Sequence, residues 1–80
     1  MRFNGKKALV TGAAGGIGKS LVRKLRAEGA SVAVTDINVS DIEADAHFPG
    51  DLSAAQFSDD LPGRTRDALG SLDILINNAG

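Results

Sequence analysis

Cysteine and tyrosine are absent from these 80 residues, and there is one histidine, His47. Without cysteine there is no disulfide framework and no thiolate metal site, and one imidazole is too few for a nitrogen-ligated cluster; no metal site is expected. Without tyrosine no phenol is available as a general acid or base. Long apolar runs are also missing, and nothing approaches the ~20 residues that span a bilayer. The opening MRFNGKK lacks the apolar segment of a secretion signal. A formal charge of -1 at pH 7 gives no basic field for nucleic acid or an anionic membrane. These absences lead to an expected soluble, cytoplasmic domain with a small-molecule partner.

What is present suits a single globular unit. Hydrophobic residues make up 42% and charged residues 24%, with no internal repeat or low-complexity tract. A chain of this length removes only about 60% of its unfolded surface from water, so its core is small.

Lys6 to Thr11 contains the unbroken apolar run Ala8-Leu9-Val10, as expected of a strand covered on both faces. From Gly16 to Glu28, Ile17, Leu21, Val22 and Leu25 recur at helical spacing, with Lys19, Arg23 and Arg26 opposite and Gly29 as the stop. Ser31 to Asp36 reads as a second strand that ends in a carboxylate, and a brief third is expected at Ala46 to Pro49. Ser53 and Gln56 have capping-box spacing, while Pro62-Gly63 interrupts any long helix. A turn at Ala54 to Ser58 and a helix from Pro62 to Leu69, closed by Gly70, are therefore expected. Leu72 to Asn77 is the fourth strand. Alternating strands and helices imply an α/β fold, a Rossmann-type doubly wound parallel sheet with strand order 3-2-1-4.

The stretch TGAAGGIGKS, Thr11 to Ser20, can be read as two phosphate loops. From Ala13 it is one residue away from G-x-x-x-x-G-K-[ST], in which Lys19 and Ser20 would serve a nucleoside triphosphate and Mg²⁺. That loop calls for an Asp at the end of a later apolar strand, whereas Asp73 precedes Ile74-Leu75-Ile76. From Thr11 it is T-G-x-x-x-G-x-G, a dinucleotide turn. Gly12 makes the bend, Gly16 admits pyrophosphate and Gly18 lets helix and strand pack closely. An acidic residue about 20 positions on then accepts the ribose hydroxyls, and Asp36 stands there. Lys19 becomes a solvent-facing helix residue.

Thr11 to Gly18, Asp36, Asp51-Leu52 after the third strand and LDILINNAG at Leu72 to Gly80 together resemble the N-terminal, cofactor-binding part of the short-chain dehydrogenase/reductase family. The resemblance implies that Gly12, Gly16, Ile17 and Gly18 line the pyrophosphate turn and that Asp36 holds the ribose. It places Asp51 at the adenine amino group, Leu52 at its ring, and Asn78, Ala79 and Gly80 beside the adenosine ribose. Asn77 is assigned to hydrogen bonding between strands. The implied activity is reversible hydride transfer between a nicotinamide cofactor and an alcohol or carbonyl, by a protein that is a dimer or tetramer at full length. A 2′-phosphate would meet Asp36, and no basic residue occupies Ala14, Gly15 or Ile37, so NAD is expected over NADP.

Two departures accompany the resemblance. The span from Asp36 to Asp51 is short for the family, so a reduced helix is expected there. The family's Ser, Tyr and Lys, which act downstream of N-N-A-G, are absent; no catalytic residue is assigned, and the 80 residues are expected to be an inactive fragment of one larger domain. A non-catalytic NAD-binding module and, behind it, a triphosphatase remain as alternatives. Other polar groups have simpler readings: His47 as a packed structural histidine beside Phe48, Asp59-Asp60 as solvated carboxylates, Ser20 on a polar helix face. Asp36 has a competitor of its own, as a cap for the turn that follows it.

Overall fold

Ala8, Leu9 and Val10 are each at most 1% exposed, so the unbroken apolar run does lie between two covering layers. In the computed structural model, which describes residues 2–78, this run belongs to β1 (Lys7–Thr11). The chain continues through α1 (Gly16–Ala27), β2 (Ser31–Asp36), β3 (Ala46–Pro49), α2 (Ala55–Leu69) and β4 (Ile74–Asn77). All strand pairs are parallel, and the order is β3-β2-β1-β4 as the sequence predicts.

Side-chain alternation splits the core in two. Ala8, Val10, Val32 and Val34 face α1, where Val22 and Leu25 complete the layer. Leu9 and Ala33 face α2 and meet Leu61, with Phe48, Phe57 and Leu69 at the margin.

The predicted turn at Ala54 to Ser58 followed by a helix from Pro62 is not what forms. One helix runs through Pro62. Phe57, Leu61, Thr65 and Leu69 recur every fourth residue and lie along the sheet, with Leu61 and Thr65 buried. An interior proline costs a helix about 3 kcal/mol; full burial of Leu61 contributes roughly 1.5–3 kcal/mol, and the partial burial of Phe57 and Leu69 adds to it. The capping box is also absent. The residue before the helix is Ala54, without a side-chain cap, because Ser53 gives both its N–H and its hydroxyl to Asp51 Oδ1 and Gln56 turns toward Asp60.

Between β2 and β3 the expected reduced helix is no helix at all. Val39 and Ile42 pin the connection to the α1 layer, and three ion pairs join it to α1: Lys19 with Asp41, and Arg26 with Glu43 and Asp45. On the side of β3 that such a helix would cover, the sequence places His47 and Pro49, both exposed. His47 is therefore not packed as expected; its ring Nε2 bonds the Ile42 carbonyl at 2.6 Å.

Candidate nucleotide-binding site

The sheet's C-terminal edge gathers the predicted residues, because the parallel strands all end there. The connections from β1 and from β3 leave in opposite directions, one toward β2 and one toward β4, and the crevice between them is where open α/β sheets take ligands.

The chain leaves β1 through Gly12, whose φ of 63° is unfavourable for any residue with a Cβ. Ala13 N then bonds Thr35 O at 3.2 Å, fastening the turn to β2. The helix begins at Gly16 with Gly15 as an extended N-cap and no side-chain cap, which leaves first-turn amides and the positive end of the helix dipole open to an anion. Gly18 is where α1 crosses the turn. A Cβ there would collide with Gly12 O and sit 2.7 Å from Ala13 Cα, whereas one on Gly16 would meet nothing within 4 Å. Of the two glycines, one is needed for packing and the other keeps a side open.

Asp36, at the end of β2, accepts from Ala14 N at 3.1 Å through Oδ2 and from Ile37 N at 2.7 Å through Oδ1. Ile17 and Ile37, 71% and 73% exposed, are the apolar residues beside this carboxylate and turn. The end of β3 is tied in by Gly50 N, which bonds Asp36 O at 2.9 Å. Asp51 then holds a tight turn, and the Ser53 N–H, followed by the Ser53 hydroxyl, keeps its carboxyl below the ordinary value. Leu52 is half-buried against the α2 layer and belongs to an open recess of about 290 Å³, between α2 and β4, that reaches Thr11 and Asn77.

At the end of β4, Thr11 Oγ1 donates to Asn77 Oδ1 at 2.9 Å and accepts from Asn78 N at 3.1 Å. Asn78 Nδ2 reaches Gly12 O at 3.2 Å. Asn77 thus bonds between neighbouring strands, as expected, and Asn78 braces the glycine turn. Thr11, given no role from the sequence, is the hub of this corner; its signal was the threonine that opens T-G-x-x-x-G-x-G. The parts expected of Ala79 and Gly80 lie outside the described residues.

Two expectations about charge are settled by position. Lys19 is not free in solvent, since its Nζ pairs with Asp41 at 3.1 Å. Asp73 lies at the opposite end of the sheet, where Oδ2 accepts from Lys7 N, and so cannot serve a triphosphate at the glycine turn. The site offers amide donors, a strand-end carboxylate and flanking apolar side chains, a set suited to holding a nucleotide.

A family model described as short chain dehydrogenase matches residues 6–80. The 2,3-dihydro-2,3-dihydroxybenzoate dehydrogenase of Bacillus subtilis is 37% identical, over 98% of this chain and 34% of that protein. Sorbitol dehydrogenase of Cereibacter sphaeroides is 39% identical, over 99% and 34%. A solved short-chain dehydrogenase/reductase from Serratia marcescens superimposes with a TM-score of 0.90 at 30% identity, over 100% of this chain and 38% of the other. The chain spans 34% of the length of the two curated relatives, and with the family model matched over residues 6–80 it belongs to the short-chain dehydrogenase family.

Proposed function

We propose that this chain is the N-terminal, cofactor-binding part of a single Rossmann domain in an NAD-dependent oxidoreductase acting on an alcohol or carbonyl. The observation that carries the reading is Asp36, a carboxylate fixed at the end of β2 against the glycine turn. Relatives named as dehydrogenases of sorbitol and of cis-1,2-dihydrobenzene-1,2-diol support an alcohol as substrate.

The residues fit such a cofactor. The open side of Gly16 admits the pyrophosphate, and the first-turn amides of α1 with Ile17 hold it. An ionised carboxylate has about four lone-pair sites, and Asp36 commits one on each oxygen to the backbone. The remaining two accept the ribose hydroxyls. With the cofactor bound, Asp51 would accept from the adenine amino group and Leu52 would lie against its ring; the resemblance assigns Asn78, Ala79 and Gly80 to the adenosine ribose. When bound, the nicotinamide supplies or takes the hydride. These residues bind and orient; proton transfer falls to the Ser, Tyr and Lys that the resemblance puts outside this chain. We further propose a cytoplasmic homo-oligomer.

Calorimetric titration of the purified protein with NAD and NADP tests this reading. Tighter binding of NAD is expected, and a preference for NADP overturns the cofactor assignment. One second reading is a module that binds NAD without turnover. A purified chain of this length that binds NAD and stays folded and monomeric would select it, and loss of folding would count against it. Magnesium-dependent ATP binding abolished by Lys19→Ala would overturn both.

A further inference from the structure

Lys19 is the first cation after the glycine turn, and residues 12–18 and 36–40 contain no other. Its amide bonds Gly15 O, so it lies one helical turn beyond the N-cap of α1. Helical side chains lean toward the N-terminus, which directs this one back to the rim at the N-terminal end of α1. There Asp41 takes it, Nζ to Oδ2 at 3.1 Å.

The Asp41 carboxylate is held ready for that contact. Asn38 Oδ1 accepts from Ser40 N and Ser40 Oγ and folds the chain back, and Val39 and Ile42, 2% and 6% exposed, anchor the segment on either side of Asp41. This arrangement exists because the β2–β3 connection runs as a pinned loop along α1.

We propose that Asp41 is a positioning residue for cofactor choice: by holding Lys19, it keeps that ammonium from a 2′-phosphate and so strengthens the preference for the unphosphorylated ribose proposed for Asp36. The proposal rests on the dinucleotide reading above. Asp41 touches no part of the cofactor; it acts by engaging a cation that would otherwise extend along the rim.

The test is the ratio of NAD to NADP affinities for the purified protein and three variants. Asp41→Asn removes the carboxylate's charge at an exposed position and is expected to shift the ratio toward NADP by about threefold to fivefold at low salt, the size of an exposed charge pair. The shift should fade at roughly 0.5 M salt, where the Debye length is only a few Å. Lys19→Met alone should give no gain for NADP, and Lys19→Met with Asp41→Asn should return the ratio to that of the parent. An unchanged ratio in Asp41→Asn, or equal loss for both cofactors, overturns the proposal and leaves the dinucleotide reading standing. A gain for NADP that survives in the double variant also overturns it, because the lysine would then be irrelevant. A parent protein that binds neither cofactor sinks the dinucleotide reading itself.

Discussion

Asp36 Oδ2 accepts a hydrogen bond from the backbone N–H of Ala14 at 3.1 Å, so the end of β2 and the glycine turn after β1 are fastened to one another by a side chain. The residue proposed to recognise ribose also sets the width of the crevice in which ribose would lie. The competing reading of Asp36 as a turn cap is physically present too, in the bond from Ile37 N to Oδ1. The two roles use different lone pairs and do not exclude each other.

Asp36→Asn keeps the shape and one acceptor oxygen but loses the charge. Hydrogen bonds to a charged group are worth about 1.5–3 kcal/mol, so NAD affinity should fall roughly tenfold or more. Binding of NADP should fall less, because repulsion of its 2′-phosphate is relieved. Titration with both cofactors checks this, and an equal loss for the two would count against ribose recognition.

Gly18→Ala and Gly16→Ala should separate packing from binding. At Gly18 the added methyl meets Gly12 O and Ala13 Cα, which are backbone and cannot swing aside; a loss of about 1–3 kcal/mol in urea unfolding is expected. At Gly16 the same methyl enters open space, so stability should hold or rise by about 0.5–1 kcal/mol through helix propensity. NAD affinity should nevertheless drop, since the proposed pyrophosphate approaches that side.

Thr11→Val removes a hydroxyl that is the shared partner of Asn77 and Asn78, at a residue only 6% exposed. Leaving such groups unpaired costs roughly 1–3 kcal/mol, visible as a lower denaturation midpoint, while Thr11→Ser should recover most of it. Unchanged stability in the valine variant would show that the corner is held by the strands alone.

Acid should loosen the loops at the site's edge before the sheet. Asp41 is held below the ordinary aspartate value of 3.8 by the Lys19 hydrogen bond and then by the lysine's charge, and Asp51 by the Ser53 amide and hydroxyl. Both folded values lie below the unfolded ones, so the stabilisation is fully present above 3.8 and is lost as pH falls through the lowered values. Both carboxylates are exposed, so the effect is small. Carboxyl NMR titration of the two side chains should show midpoints below 3.8, and Lys19→Met should raise that of Asp41 alone.

Local chemistry determined much of this molecule by itself. The unbroken Ala8-Leu9-Val10 run marked a central strand, Gly12 and Gly18 marked the turn and the close crossing, and Asp36 at the end of the second strand favoured a dinucleotide turn over a triphosphate loop. Each is a short-range signal, in which one residue's conformational or charge preference is read against its immediate neighbours. Strand order followed because parallel strands joined by helices have few ways to pack.

Tertiary structure decided what those preferences could not. Pro62 argued for a break, yet Leu61 is buried and Phe57 and Leu69 are partly covered by the sheet along the same continuous helix, and that burial outweighs a local backbone penalty. Ser53 had the spacing of a cap, but Asp51 competes for the same hydroxyl. Lys19 was readable as a surface lysine; its pairing with Asp41, 22 residues on, came into being only when the β2–β3 connection folded along α1. Contacts between residues far apart in the chain are set by where the elements dock, which is a property of the assembled core.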